Sequence, residues 1–318
     1  MAEVLQTLVD ERRIVICAGS GGVGKTTTAA ALAVAGARRG RRACVVTIDP
    51  ARRLADALGL GELTNEPHRV DGDWPGELWA LMLDTKSTFD HVVAAYAASG
   101  EQAEAIYNNR FYRNLAAALS GTQEYMAMEK LFELNAEEGF DLIVVDTPPT
   151  RRALDFLDAP NRLTRLLDNR IFRLLMRPTR AGMRAINVAT QVFLRTVSRV
   201  VGGEVVGDAV TFFEAFEGME QGFRDRAQAV LALMSQTETA WVLVTTPRQD
   251  AIEETLFFAR RLHESSIGIA AVVVNRIFPR FGPVPELGGA GKLAEFATNL
   301  ADLDRIAARE EGYVGELA

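Results

Sequence analysis

Gly19-Ser20-Gly21-Gly22-Val23-Gly24-Lys25-Thr26-Thr27 is the stretch that decides how this 318-residue chain is read. Glycines at these spacings let the backbone curl until successive N–H groups point inward, which makes a cradle for phosphate oxygens. Lys25 is then placed to reach β- and γ-phosphates, and the Thr26 hydroxyl to ligate Mg²⁺. The flanks agree with that reading. Ile14-Val15-Ile16-Cys17-Ala18 is a short apolar run suited to a buried parallel strand, and Thr27 to Arg38 is alanine-rich and helical. A strand leading into a helix turns the positive end of the helix dipole toward a bound anion. The loop therefore implies a nucleoside triphosphate, with Gly21, Gly22, Val23, Gly24, Lys25, Thr26 and Thr27 as its phosphate contacts.

Other apolar runs extend the pattern. Ala43 to Ile48 ends at Asp49-Pro50, and Leu142 to Val145 ends at Asp146-Thr147-Pro148-Pro149-Thr150. Trp241 to Thr245 and Ile269 to Val274 complete a set of five, the last followed by Asn275. Each run is short and β-branched, as buried parallel strands are, and helical periods separate them. The expected fold is α/β, a doubly wound, mostly parallel sheet of the P-loop NTPase kind. Ligands bind such sheets at the carboxyl ends of the strands. The loop, Asp49, Asp146 and Asn275 all fall at such ends, which gathers them into one expected site.

Two long stretches carry helical spacing and no strand signal. Within Thr85 to Glu137, Phe89, Val92, Val93 and Tyr96 share a face. Within Asn161 to Gln236, Met183, Ile186, Phe193, Val197 and Val200 make one stripe, and Phe212, Phe216, Met219 and Phe223 another. The glycine-rich run from Gly202 to Gly207 reads as a flexible tip between them. The expected organisation is a nucleotide-binding core over 1–84, 138–160 and 237–318. A discontinuous helical subdomain, 85–137 and 161–236, is inserted in it. The apolar stripes fit ordinary core packing or a client groove equally well in pattern.

Composition narrows the class. Hydrophobic residues at 48% with 24% charged describe a globular chain, and a net charge of −7 argues against a general nucleic-acid binder. Cys17 and Cys44 both fall in predicted core strands with no CxxC, so neither a zinc clasp nor a disulfide framework is indicated. Met1 to Arg13 is charged throughout and no apolar run nears the ~20 residues that span a bilayer, so a cytoplasmic location is expected.

The loop, Thr47-Ile48-Asp49-Pro50-Ala51, Asp146-Thr147-Pro148-Pro149-Thr150 and Val274-Asn275-Arg276 together resemble the ArsA-type ATPases. That family includes arsenite-pump ATPases and the guided-entry ATPases that carry tail-anchored membrane proteins. Among its members the look is nearest to actinobacterial ArsA-like ATPases. The resemblance spans nearly the whole chain, and the Asp146–Thr150 element is its most specific part. It implies an ATPase using ATP and Mg²⁺, with Asp49 polarising the attacking water, Asp146 holding Mg²⁺ through water, and Asn275 recognising adenine. The absence of Asn-Lys-x-Asp at 275–278 agrees with adenine over guanine. Bland readings stand beside these: Asp49 as a cap or turn residue before Pro50, and Asn275 as a strand-end turn former.

The chain also departs from that family. Ser20 stands where the signature loop carries a lysine that crosses a dimer interface. The metalloid-binding cysteines and the zinc CxxC have no counterparts, and Leu293 to Ala318 reads as helix. The resemblance implies a homodimer, or a heterodimer with an ArsA-like paralogue. A protein client or an anionic membrane surface is the expected target, and no nucleic acid. A weakly catalytic ATP-binding subunit is the alternative, and a metalloid pump the least favoured reading because soft thiolate ligands are missing. Arg52-Arg53 and Arg151-Arg152, beside the two aspartates, are candidates to replace the missing lysine charge. The arginines from Arg162 to Arg199 read either as a solvated helical face or as a docking surface for anionic lipid or an acidic partner.

Overall fold

Near-continuous burial along the short central strands, with successive side chains pointing to opposite sides, builds a sheet that is apolar on both faces. The computed structural model describes residues 2–49, 53–110, 112–113, 122–136, 139–149, 207–208, 211–212, 214–282 and 292–317. Its strands are β1 (Ile14–Ala18), β2 (Arg42–Thr47), β3 (His68–Val70), β4 (Glu77–Met82), β5 (Leu142–Asp146), β6 (Thr239–Thr245) and β7 (Ile269–Val274). Its helices are α1 (Ala2–Glu11), α2 (Lys25–Arg38), α3 (Arg53–Leu58), α4 (Thr85–Tyr96), α5 (Gly100–Asn108), α6 (Thr122–Ala136), α7 (Glu220–Ser235), α8 (Gln249–Glu264) and α9 (Lys292–Gly315). The sheet order is β3-β4-β2-β5-β1-β6-β7. Only β3 runs antiparallel; every other described pairing is parallel.

Register fixes what meets at the carboxyl ends. Asp146 lies opposite Cys17 of β1 on one side and opposite Thr47 of β2 on the other. Val15, Val45, Val144 and Val242 face α2, whose Ala29, Ala33 and Ala37 are fully buried against them. Alanine suits both jobs there, since it favours helix and lets the helix axis approach the sheet. Ile14, Ile16, Val46, Ile143, Val145 and Leu243 face the other way, into an apolar cluster shared with α4, α6 and α7. Each such side chain, fully buried, stabilises by about 1.5–3 kcal/mol. A half-exposed ion pair such as Arg39–Asp10 contributes about 0–1, so the two apolar faces dominate.

The structure corrects the strand reading in two places. β3 and β4 were not among the five expected runs. His68-Arg69-Val70 is short and polar, and Glu77 to Met82 is rich in Leu, Ala and Met, which favour helix; pairing with β2 makes it a strand. The last run, β7, is an edge strand and not a buried one: Ile269 and Val272 are exposed, at 36% and 39%. No other strand pairs with its outer side among the described residues.

The helical stretches start where local chemistry satisfies free N–H groups. Asp84 accepts from the Ser87 amide at 2.6 Å ahead of α4, and Ser99 from the Gln102 amide at 3.2 Å ahead of α5. Phe212, Phe216, Met219 and Phe223 are all buried, with Phe216 and Phe223 rings 4.9 Å apart, so that stripe is core packing. The stripe from Met183 to Val200, the run 202–206 and the arginines from Arg162 to Arg199 lie outside the described residues. No described helix is long and apolar enough to cross a membrane.

One buried charge ties α6 to α7. Glu129, fully buried, accepts from the Tyr125 hydroxyl and from Arg226 Nε at 2.7 Å, and Arg226 sits over the Phe132 ring. Removing one partner of a buried pair strands the other, so Glu129→Ala is expected to cost about 3 kcal/mol, read from urea unfolding. Burial raises the Glu129 carboxyl above its ordinary value, against the hydrogen bonds and charge of Tyr125 and Arg226. A raised folded value means the contribution is complete below the ordinary glutamate range and shrinks as pH rises through the folded value. The gap between wild type and variant should therefore narrow from acid to neutral pH.

Candidate functional site

The phosphate loop closes tightly because two of its glycines leave no room for a side chain. A Cβ at Gly19 would lie 2.0 Å from the Val244 carbonyl oxygen of β6. Gly24 has φ +101, and a Cβ there would lie 2.2 Å from Asn275 Nδ2. Gly24 also stands immediately before α2, so the first free N–H groups of the helix open onto the loop. Lys25 is buried at 7% exposure, with Nζ donating to the Ser20 carbonyl at 2.8 Å. Burial lowers its pKa, opposed by the nearby Asp146 and Asp49 carboxylates and reinforced by Arg53. A buried ammonium at the wall of a pocket suits an anion that would stabilise its charge.

Asp146 joins loop and sheet. Its Oδ2 accepts from Thr26 Oγ1 at 2.7 Å and from Thr47 Oγ1 at 3.0 Å, while the residue is 1% exposed. Its other oxygen, Oδ1, is buried with no hydrogen-bond partner among the described residues. Burial pushes the carboxyl above the ordinary range, partly offset by the two hydroxyls and Lys25 and added to by Asp49. An unsatisfied buried carboxylate oxygen beside a threonine hydroxyl is the donor set a hard divalent cation takes, with water and phosphate oxygens completing the shell. Thr26 and Asp146 thus fit Mg²⁺.

Around these residues lies a pocket of about 520 Å³, lined by Gly22, Gly24, Lys25, Thr26, Thr27, Asp49, Arg53, Thr147 and Arg276 among others. Asp49 follows the end of β2, its amide bonded to Thr47 Oγ1 at 3.3 Å and its carboxylate 3.4 Å from Arg53 Nη1. Thr147 is pinned by two bonds to the Cys17 carbonyl, from its amide at 3.2 Å and its hydroxyl at 2.8 Å. Pro50, Arg52, Thr150, Arg151 and Arg152 lie outside the described residues. Gly21 and Ser20 line a second pocket of about 300 Å³, next to the first, with Thr246, Arg248, Glu254 and Arg276.

Asn275 sits at the end of β7, but its side chain faces the loop. Nδ2 donates to the Val23 carbonyl at 2.9 Å, and Oδ1 accepts from the Arg276 amide at 2.9 Å. It stands next to the loop, and both of its polar atoms already serve the protein. Two residues quoted within the sequence motifs were given no task there. Thr47 shares Asp146, and the signal was its place at the end of β2, in line with β5. Arg276 borders both pockets, and only the backbone turn after Asn275 reveals it.

The sequence matches the family described as anion-transporting ATPase over residues 12–282. It is 27% identical over 297 residues to ATPase GET3 of Podospora anserina, covering 89% of this chain and 79% of that protein. It is 28% identical over 298 residues to ATPase ARSA2 of Chlamydomonas reinhardtii, covering 92% and 74%. A third relative, ATPase GET3 of Malassezia globosa, is 26% identical over 275 residues, covering 86% and 76%. A parallel sheet with a glycine-rich loop opening a helix, and a match over most of the chain, lead to one conclusion: this chain belongs to the ArsA-type, anion-transporting ATPase family and is an ATPase.

Proposed function

We propose that the chain couples Mg²⁺-dependent ATP hydrolysis to movement of its helical segments, acting on a protein or membrane client as a dimer or as a heterodimer with a paralogue. The observation that carries this reading is the Asp146 carboxylate, which holds the loop's Thr26 and the β2 residue Thr47 at once. A change at the γ-phosphate is then felt by the segments after β2 and after β5 together. Those segments lead, through 85–137 and 161–236, into the helices we assign to a subdomain distinct from the nucleotide core. α4, α6 and α7 share one apolar cluster with a face of the sheet, so a shift there is passed on by packed side chains.

Each residue has a stated task in this reading. Loop amides and Lys25 hold the β- and γ-phosphates, and Thr26 with Asp146 holds the cation. Mg²⁺, when bound, supplies charge neutralisation on the β- and γ-oxygens. Asp49 orients and polarises the attacking water, and Arg53, its ion-pair partner in the same pocket, keeps that carboxylate in place. Asp49→Asn is accordingly expected to bind ATP as wild type does while kcat falls about 10²–10⁴-fold. Calorimetric titration and steady-state phosphate release check the two halves. Wild-type turnover in that variant would remove Asp49 from the chemistry.

A second reading keeps one specific support. The signature lysine is replaced by Ser20, whose carbonyl instead receives Lys25. A subunit that binds ATP but turns it over only with a partner's cation fits that substitution. Phosphate release by the isolated chain, against the rate with a lysine-bearing paralogue added, separates the two. Unstimulated, rapid turnover supports self-sufficiency, and turnover only in the mixture supports the partner reading.

A further inference from the structure

We propose that Arg276 is a second cation for the nucleotide's phosphate chain, held over the loop by the turn that ends β7. The proposal rests on the reading that ATP binds at residues 19–27, and adds a residue outside the loop and the two aspartate segments.

Three observations converge on this arginine. First, it borders both pockets flanking the loop, and of the residues lining them only Gly22 does the same. Its side chain is exposed and, with Gly22, borders both openings beside the loop, within the region that a phosphate chain laid on the loop amides would enter. Second, its backbone is in the left-handed region, φ +62; Ser266 is the other described non-glycine residue with positive φ. Glycine occupies that region without a Cβ penalty, and strained non-glycine residues gather at ligand clamps. An arginine kept there points to a use for the side chain. Third, the strain is supported from the site itself: Asn275 Oδ1 accepts from the Arg276 amide while Asn275 Nδ2 donates to the Val23 carbonyl. One amide side chain thus couples the turn carrying Arg276 to the loop it overlooks.

Charge and chemistry agree with the geometry. Arg276 forms no ion pair among the described residues, whereas the other arginines of these pockets, Arg53 and Arg248, are paired to Asp49 and Asp250. A guanidinium stays charged and presents forked donors that match phosphate oxygens.

Glycine makes the decisive substitution, since it removes the side chain and relieves the backbone together. Arg276→Gly should melt at the wild-type temperature or higher, yet bind ATP and ADP about tenfold or more weakly, the loss of one charge-assisted contact. Arg276→Lys should recover part of that affinity. Calorimetric titrations of wild type, both variants and Lys25→Ala, with ADP and a non-hydrolysable ATP analogue, decide the matter. Wild-type affinity in Arg276→Gly overturns the proposal, because the residue would then serve only the turn. A lysine variant no tighter than the glycine one overturns it as well, because charge would not be the cause. If wild type itself fails to bind, or Lys25→Ala binds equally well, the fault lies with the nucleotide site and not with Arg276.

Discussion

Lys25→Ala is expected to lower ATP affinity by 10²-fold or more and to reduce hydrolysis by about 10³-fold. Lys25 is the cation the loop carries at the start of α2, and its ammonium donates to the Ser20 carbonyl. ATP would exchange that single neutral acceptor for phosphate oxygens, a charge-assisted contact roughly twice as strong. Stability should move the opposite way. Burial depresses the Lys25 pKa, so the folded chain bears a cost for holding the charge there, and alanine removes it. A thermal midpoint at or above wild type, together with lost binding, would identify Lys25 as a residue retained for ligand and not for fold. A variant that binds ATP normally would take the loop out of the site.

Asp146→Asn is expected to remove Mg²⁺-dependent turnover, by about 10³-fold, while sparing the sheet. The asparagine oxygen can still accept from Thr26 and Thr47, so the bonds at 2.7 and 3.0 Å survive. What disappears is the negative charge and the second carboxylate oxygen, which is buried without a partner among the described residues. Burial already pushes the Asp146 carboxyl up, so neutralising it should leave unfolding unchanged or slightly harder. Phosphate release measured against Mg²⁺ concentration checks this. Retention of the wild-type Mg²⁺ dependence would place the cation elsewhere.

The phosphate loop was legible in sequence because its determinants are local: glycine backbone freedom, a lysine and threonine opening a helix, and a preceding apolar strand. Asp49 and Asp146 were legible as strand-end residues. Their meeting through Thr47 and Thr26 was not, because it depends on β2 and β5 being neighbours in register. β3 and β4 were hidden for the same reason; Glu77 to Met82 has no local preference for strand and gains one only by pairing. Glu129 and Lys130, both fully buried, sit in Met-Glu-Lys-Leu-Phe-Glu, which reads as a helix with a solvated charged face. Only the packing of α7 against α6 turns that face inward. Phe212 and Phe223 were legible as helical but not as core, since a core stripe and a client groove share one periodicity.

The most direct test of the central claim is a crystal structure with a non-hydrolysable ATP analogue and Mn²⁺ in place of Mg²⁺, read by the anomalous signal of the metal. The account predicts one strong peak beside Thr26 Oγ1 and the Asp146 carboxylate, with the triphosphate lying along residues 19–27. A metal peak away from Thr26 and Asp146, or a nucleotide seated off the loop, would contradict it.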